Sequence, residues 1–378
     1  MKALLSKFRY GAAISLISMS ASLTAVEDVL NTPSVKSDIA INSLLLDVGY
    51  AGDRLVAVGV RGHILYSDDN GQSWEQANVP VSVLLTSVNF ADRKNGWAVG
   101  HSGVILKTSD GGSNWVKQFD GDQANKMIIT QSEKVLEDMK LELADAPEEE
   151  LEDLEYEVEE AAFAVEDARL DATVGASKPL LDVLFSSDKD GFVVGAYGFM
   201  FKTTDGGLSW DNYGDRMDNP DRFHLNAINK IKGGALLAVG EAGVIYRSTD
   251  DGESWDVLDS PYSGSLFGVS GTNEENVVLV FGLRGNVYRS EDAGDTWSAI
   301  DSETQSTLMS AATSTGDGIS IVGTSGSVLL SEDGGKTFTE TIRKDRLSNA
   351  SAIYIHSSKV VMVGESGVVL TNPSGMSL

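Results

Sequence analysis

The sequence predicts an all-β fold, a seven-bladed β-propeller with an antiparallel α-helical hairpin inserted between blades 2 and 3. The first observation behind this prediction is a phrase that occurs in six copies and a truncated seventh: Val-Gly, two variable residues, Gly, a short apolar run, Ser/Thr, Asp, Gly, Ser/Thr and Trp, as in VGVRGHILYSDDNGQSW at 58–74. The second is its spacing, because the leading glycines are 41, 95, 45, 42, 41 and 41 residues apart. Short β segments repeating every 40–45 residues or so are typical of propeller blades.

Each copy is expected to supply most of one blade. The leading glycines are Gly59, Gly100, Gly195, Gly240, Gly282, Gly323 and Gly364. In the fourth copy, residues 225–231, 235–239, 244–247 and 255–258 are short, rich in β-formers and separated by turn residues, which predicts four strands. The inner strands are apolar throughout, as expected where neighbouring blades cover both faces of a sheet. Flanking glycines at 240 and 243 are expected to supply positive φ in the turn between the second and third strands.

The turn between the third and fourth strands has the spacing of an Asp-box. Its carboxylate can accept hydrogen bonds from amides of its own turn, and its Trp can bury a large apolar area at the outer edge of the blade. Six repeated carboxylates spaced around a ring cannot share one active site, so we interpret them as structural. The box residues are Asp69, Asp110, Asp205, Asp250 (or its neighbour Asp251), Asp292 and Asp333, with Trp74, Trp115, Trp210, Trp255 and Trp297.

The seventh copy ends without an Asp-box or a fourth strand. An unpaired third strand would leave a sheet edge open. Residues 35–41 precede the first inner strand, and we predict that they form a strand that completes blade 7. The domain boundaries are therefore a signal peptide at 1–25, blades 1 and 2 with the N-terminal closing strand at 35–121, the insert at 122–178, and blades 3–7 at 179–378.

The insert is acidic and helical by its periodicity. It holds 18 acidic and 5 basic residues, so it accounts for −13 of the net charge of −27. Apolar residues fall at three-four spacing in two runs that are separated by Pro147, which predicts a helical hairpin. The two seams are Ile129, Leu136, Met139, Leu143 and Ala146, then Leu151, Leu154, Val158, Ala161, Val165 and Ala168. Three interpretations stay open: a solvated decoration, a docking arm for a basic partner, or, with no oxygen-ligand loop to support it, a cation-binding element.

Composition narrows the class of function. A net charge of −27 argues against nucleic-acid binding and against adhesion to an anionic membrane. The chain has no cysteine and four scattered histidines, which leaves no thiolate chemistry and no metal motif. We expect no cofactor and no metal. Lys2, Lys7 and Arg9 precede a short apolar stretch, the layout of a secretory signal peptide, so we expect export to the periplasm of a Gram-negative bacterium without membrane insertion after cleavage.

Recognition is expected on the face that carries the Gly-x-x-Gly turns and the connections between blades, because the turns vary while the frame repeats. The insert connects two blades, so it should rise from the same face. Arginine can bind a carboxylate bidentately, which makes the two arginines of these turns the leading candidates. The candidate partner-binding residues are Arg61, Arg284, Tyr197, His101, Glu241 and Glu365.

The repeated phrase resembles the photosystem II stability/assembly factor family, a group of BNR/Asp-box repeat propellers. Residues 99–115 and 194–210 match it best, and Arg61-Gly62 and Arg284-Gly285 match its Gly-x-Arg-Gly variant. The resemblance implies a non-catalytic propeller that binds a membrane protein or a membrane-associated complex through arginines and assists its assembly, stability or operation. The acidic hairpin departs from the photosynthetic members. Similar propellers of non-photosynthetic proteobacteria are associated with RND-type exporters.

A sialidase-like glycoside hydrolase is the alternative, since Asp-boxes also occur in those enzymes. Such an enzyme needs three arginines for the substrate carboxylate, a tyrosine nucleophile and an acid/base aspartate. Arg61 and Arg284 would have to converge with Arg216 or Arg222. The Arg-Ile-Pro segment that usually precedes the first Asp-box in sialidases does not occur in the sequence.

Overall fold

The computed structural model describes residues 28–378, which form seven antiparallel sheets arranged as the blades of a propeller. The predicted signal peptide lies outside these residues. Blades 1–6 have four strands each and blade 7 has three, so the predicted fold is confirmed. The strands are, blade by blade, β1–β4 (Leu45–Ala51, Arg54–Gly59, Ile64–Ser67, Glu75–Gln76), β5–β8 (Leu85–Phe90, Gly96–Gly100, Ile105–Thr108, Val116–Phe119), β9–β12 (Leu180–Phe185, Gly191–Gly195, Met200–Thr203, Asp211–Asn212), β13–β16 (Leu225–Lys230, Leu236–Gly240, Ile245–Ser248, Asp256–Val257), β17–β20 (Leu266–Gly271, Val278–Gly282, Val287–Ser290, Ser298–Ile300), β21–β24 (Leu308–Thr313, Ile319–Gly323, Ser327–Ser331, Thr339–Ile342) and β25–β27 (Asn349–His356, Lys359–Gly364, Gly367–Thr371).

The core lies between adjacent blades. The second strand of most blades is buried along its whole length, as in β6, β14 and β18. Sheets on both sides cover it, which explains why these strands are continuous apolar runs. Each hydrophobic cluster therefore joins residues of neighbouring blades, for example Val193 of blade 3 with Trp97 of blade 2.

The two glycines of each Gly-x-x-Gly turn have different backbone conformations and different structural roles. The second one has positive φ, as Gly62 does at 67° and Gly243 at 80°. The leading glycine is extended instead, with φ of −176° at Gly59. A Cβ atom on any of the seven leading glycines would lie 1.9–2.5 Å from the carbonyl oxygen of the residue before the first strand of the same blade. The expectation of positive φ is thus wrong for the leading position, where glycine is required by close packing of two backbones.

Each Asp-box is closed by its own hydrogen bonds. In the first box the Ser67 hydroxyl donates to Asp69 Oδ1 at 2.8 Å, and Asp69 accepts from the backbone N–H of Ser73 at 2.8 Å and from its hydroxyl at 2.5 Å. In blade 4 the carboxylate with these contacts is that of Asp250, while Asp251 has φ of 56° and pairs with Lys230. Hydrogen bonds, first from the Ser73 hydroxyl, lower the pKa of Asp69 to about 2.

Ring closure differs from the prediction. Residues 35–39 form no strand and contact blade 1 instead: Ser37 N–H donates to the Gln76 side chain at 2.8 Å, and Gln76 donates to the Val35 carbonyl at 3.0 Å. The edge of β27 is covered by the chain that follows it, where Leu378 N–H donates to the Leu370 carbonyl at 3.1 Å. The predicted closing strand is therefore wrong. Residues 35–39 lie along blade 1, and Ala40–Asn42 form a short 3-10 helix that packs against β27.

The insert forms two helices, α1 (Gly121–Asp145) and α2 (Leu151–Thr173), which pack against each other as a hairpin between blades 2 and 3. Asp120 caps α1 by accepting from Gln123 N–H at 3.2 Å. The buried residues of α2 are Leu154, Ala161, Val165 and Ala168, all of them in the predicted seam. No helix within 28–378 has the length and apolar character that crossing a membrane requires.

Candidate recognition face

One face of the propeller carries the seven Gly-x-x-Gly turns and the linkers from each outer strand to the next blade. In every blade the N–H of the first variable turn residue donates to the carbonyl before the first strand, at 2.9–3.1 Å. This bond and the packing of the leading glycine fix each turn against its own blade. The face is therefore a rigid frame whose variable side chains are presented in defined positions.

Four exposed arginines on this face have left-handed backbone conformations. Arg61 and Arg284 occupy the second variable position of their turns, with φ of 56° and 59°. Arg222 and Arg346 lie in linkers, with φ of 52° and 54°. Each packs against the second glycine of a turn. A Cβ added to Gly198 of blade 3 would lie 3.6 Å from the Cα of Arg222, and one added to Gly326 of blade 6 would lie 2.9 Å from the Cα of Arg346.

The left-handed region is unfavourable for a long side chain and is occupied more readily by glycine or asparagine. The Gly-x-x-Gly turn imposes this conformation on whatever residue occupies the position, since Ser102, Tyr197, Ala242 and Ser325 have φ of 55–59° there. Within residues 28–378, none of the four guanidinium groups forms an ion pair, whereas Arg54 and Arg93, on the opposite face, pair with Asp68 and Asp53 at 2.7 and 2.8 Å. These four cations are consequently available to an acidic or polar ligand.

Tyr197 and His101 lie near the base of the hairpin. Tyr197 is half exposed, its ring lies edge-on to His224 with centroids 5.0 Å apart, and Lys178 Nζ lies 5.4 Å from its centroid. His101 is exposed in the blade 2 turn, whose Gly103 packs against Gly121 at the start of α1. Both residues thus lie where the hairpin meets the face.

Glu241 and Glu365 have a local structural role. Glu241 Oε2 accepts from the backbone N–H of His224, and Glu365 Oε2 accepts from that of Ser348, each at 3.3 Å. Thr324 does the same in blade 6, where its hydroxyl oxygen accepts from Thr307 N–H at 3.0 Å. The first variable position therefore fastens the turn to its own blade, and the second position presents a side chain to solvent.

Sequence patterns single out only two of the four arginines, Arg61 and Arg284, as candidate binding residues. Arg222 is a candidate only for the arginine trio of a hydrolase, and no pattern marks Arg346. Both lie in linkers, which do not repeat and so give no pattern. The signal available was topological, since every linker from an outer strand ends on the face of the Gly-x-x-Gly turns.

A cleft of about 620 Å³ separates the hairpin from blade 3. Tyr197, Phe199 and Met217 line it on the propeller side, and residues of both helices, among them Ile128 and Ala161, line the other side. Lys178 and Arg222 also contribute to its lining. Asp171 and Asp218 line it as well, and Asp171 pairs with Lys178 at 2.5 Å, so the cleft carries both signs of charge beneath the hairpin.

The centre of the ring holds a second cavity, of about 660 Å³, whose lining includes two half-buried aspartates. Ser87 Oγ lies 3.0 Å from Asp47 Oδ2 and 2.7 Å from Asp182 Oδ1. One hydroxyl has one hydrogen to donate, so both contacts are satisfied when Asp182 is protonated and donates to Ser87, which in turn donates to Asp47. Burial raises the pKa of Asp182 to about 7, in spite of the hydrogen bond from Ile228 N–H, and burial also raises that of Asp47.

These aspartates connect the blades at their inner strands. Asp47 of blade 1 accepts from Val88 N–H of blade 2 at 2.9 Å, and Asp182 of blade 3 accepts from Ile228 N–H of blade 4 at 2.9 Å. Sequence reasoning missed both, although each stands in the same tetrapeptide, Leu-Leu-Asp-Val, at 45–48 and 180–183. The cavity is lined by Tyr50 and Tyr354, but Arg61, Arg216, Arg222 and Arg284 are not among its lining residues. The arginine trio required of a sialidase therefore does not face a tyrosine here.

Fold and face together define a repeat propeller in which a closed ring of blades presents variable side chains on one side. The family model for the photosynthesis system II assembly factor YCF48 matches residues 69–132 and 165–315, which is more than half of the chain. The chain belongs to this family. Its members in that description are assembly factors.

Individual relatives match over shorter segments. The photosystem II stability/assembly factor HCF136 of Guillardia theta is 40% identical over 53 residues, 14% of this chain and 13% of the relative. HCF136 of Arabidopsis thaliana is 28% identical over 112 residues, 27% of this chain and 28% of the relative. The matched segments thus span less than a third of either relative.

Solved structures match over nearly the whole propeller. A structure of YCF48 bound to a D1 peptide has a TM-score of 0.60 and 17% identity, covering 88% of this chain and 93% of its own. YCF48 from Cyanidioschyzon merolae has a TM-score of 0.58 and 14% identity, covering 87% and 95%. At these identities the likeness establishes the shared propeller fold.

Proposed function

We propose that this chain is a non-catalytic assembly factor that holds a segment of a membrane protein against its Gly-x-x-Gly face. The observation that carries the proposal is the set of four exposed arginines on this face (Arg61, Arg222, Arg284 and Arg346), which form no ion pair within residues 28–378. Their guanidinium groups are held on fixed turns and linkers and are free to bind carboxylates of a partner. Family membership and the D1 peptide seen on a relative with this fold support the same interpretation.

The bound segment is expected to be extended and to carry carboxylates. Arginine forms paired hydrogen bonds with a carboxylate, and the four arginines are distributed over blades 1, 3, 5 and 6. A segment that crosses the face can therefore meet several of them in turn. The cleft beside Tyr197 would accept an apolar side chain of the same segment.

We also propose that the chain acts in the periplasm of a Gram-negative bacterium, on the basis of the charged, apolar and small residues in 1–25. Its partner is then a membrane protein complex with a periplasmic segment. Photosystem II is the partner that the family suggests, and an RND-type exporter is the second candidate. These two candidate partners can be distinguished by which membrane protein co-purifies with the chain.

The test is co-purification from solubilised membranes of the source organism, quantified by mass spectrometry. Wild type is compared with the combined variant Arg61→Asn, Arg222→Asn, Arg284→Asn and Arg346→Asn. Loss of two or more bidentate contacts predicts at least about a tenfold fall in the recovered membrane protein. Arg93→Asn is the matched control, an exposed arginine on the Asp-box face.

Equal recovery by wild type and the combined variant would refute the arginine face. Recovery of photosystem II subunits or of an exporter identifies the partner. Release of sugar from a fluorogenic sialoside, abolished by Arg284→Ala, would replace the proposal with the hydrolase alternative.

A further inference from the structure

The outer face of α2 carries an apolar stripe that no described residue covers. Tyr156, Phe163 and Leu170 are spaced by seven residues and remain 64%, 54% and 67% exposed. At 100° per residue they lie on the side of α2 opposite the buried seam of Leu154, Ala161, Val165 and Ala168. α2 is therefore apolar on two opposite sides, and α1 accounts for only one of them.

Acidic residues border the stripe on both sides with the same period. Each stripe residue is preceded, at four and three positions before it, by two carboxylates: Glu152 and Asp153, Glu159 and Glu160, Glu166 and Asp167. All six are exposed. Within residues 28–378 none of the six forms an ion pair, and the cationic groups of the insert that do are Arg169 with Glu133 and Lys178 with Asp171.

We propose that this stripe is the docking surface for a basic amphipathic helix of a partner protein. A third helix with apolar residues at heptad spacing would bury the stripe, and Lys or Arg at its flanking positions would meet the two acidic rows. The stripe spans 14 residues, or about 21 Å, which matches two to three heptads of the partner.

Charge excludes the other occupants. A second copy of this chain would bring six carboxylates against six, and like charges across such an interface oppose association. An anionic membrane surface is repelled for the same reason. The surface is separate from the four arginines, so the two proposals stand or fall independently.

The test measures binding of a fluorescent probe peptide by anisotropy, with the full chain at physiological salt. The probe has three heptads with Leu at the seam positions and Lys at the flanking positions. A scrambled peptide of identical composition controls for charge alone. We expect the probe to bind at least about tenfold more tightly than the scrambled peptide, because only the ordered sequence can bury the stripe.

Variants identify the surface. Phe163→Ser combined with Tyr156→Ser should weaken binding about tenfold, as expected when central aromatic anchors are lost. Leu208→Ser, which changes an 82% exposed leucine of an Asp-box turn, is the matched control and should have no effect. Glu159→Lys with Glu160→Lys should move the preference toward a probe with Glu at the flanking positions.

Three results would overturn the proposal. These are equal affinity for ordered and scrambled peptides, unchanged binding by the Phe163 and Tyr156 variant when circular dichroism shows intact helices, and sedimentation of wild type as a dimer that this variant abolishes. Binding to vesicles of anionic lipid in preference to the probe would assign the stripe to a membrane.

Discussion

Replacing the four left-handed arginines with asparagine should stabilise the protein while removing its binding function. The left-handed conformation costs an ordinary residue roughly 1–2 kcal/mol, and asparagine recovers part of that cost. A gain of about 0.5 kcal/mol per site is reasonable, since the side chains are exposed and form no ion pair within the described residues. The sites lie in different blades, so their effects should add to about 2 kcal/mol.

The expected change in melting temperature follows from the size of the propeller. An unfolding entropy of about 2 cal/mol/K per residue over about 350 residues converts 2 kcal/mol into an increase of about 3 °C. Differential scanning calorimetry of wild type and the combined variant measures it. Ser102→Asn and Ser325→Asn are controls at the same turn position, with φ of 59° and 58°, and should stabilise without affecting binding.

A lower melting temperature of the combined variant would refute the predicted stabilisation. If the combined variant melts several degrees below wild type, the arginines stabilise their turns through contacts of their own. The arginines would then have a structural role at these positions, and the case for a binding face would lose its main support.

Three further predictions concern the frame. Gly240→Ala should unfold the protein or lower its melting temperature sharply, because the added Cβ would lie 1.9 Å from the His224 carbonyl oxygen, whereas Gly234→Ala, with nothing within 4 Å, should cost only its backbone strain at φ of 97°. The free energy of unfolding should fall as pH rises from about 4 to 7, because the folded-state pKa of Asp182, about 7, lies above the unfolded value of 3.8. Asp182→Asn should flatten this slope in urea titrations, and an unchanged slope would contradict the assignment. Stability should also fall as pH drops from about 4 to 2, because hydrogen bonds in the Asp-boxes lower the pKa of residues such as Asp69 and Asp205 to about 2. Ser73→Ala removes one of these hydrogen bonds to Asp69 and should weaken the acid dependence that this box contributes.

Much of the fold was predictable because each blade is specified by local turn chemistry. An Asp-box needs a hydroxyl, a carboxylate and a glycine within five residues, and a Gly-x-x-Gly turn needs two glycines in four. Such patterns are visible in any one copy. The seam of the hairpin was equally local, since one heptad pattern on each arm determines which side is buried.

Ring closure and the central well were less predictable because they depend on which strands meet. Residues 35–41 include β-formers, so the sequence allows a strand there. In the structure the Gln76 side chain binds Val35 and Ser37, and the residues after β27 cover its edge; neither contact is marked by a sequence pattern. From the sequence alone, Asp47 and Asp182 are ordinary strand residues. Their role in connecting blades is visible only in the structure, which places Val88 and Ile228 of the next blades beside them. Arg61 and Arg284 could be found because they stand inside the repeat, and Arg222 and Arg346 could not because linkers have no period.

The four arginines of the propeller face and the acidic rows of α2 are separate sites of opposite charge, and this arrangement has a consequence for how a partner would bind. The hairpin is fixed to the face at its base, where Asp120 pairs with Lys117 at 2.9 Å and Asn125 donates to the Gly175 carbonyl at 3.0 Å. An acidic segment bound to the arginines and a basic helix bound to α2 would therefore be held in a fixed relative position. A partner that carries both segments would bind more tightly than either segment alone, because binding of one raises the effective concentration of the other. A partner whose two segments were exchanged would bring like charges together at both sites. Deletion of residues 122–178 should accordingly keep the propeller folded and weaken, without abolishing, retention of a partner that carries both segments.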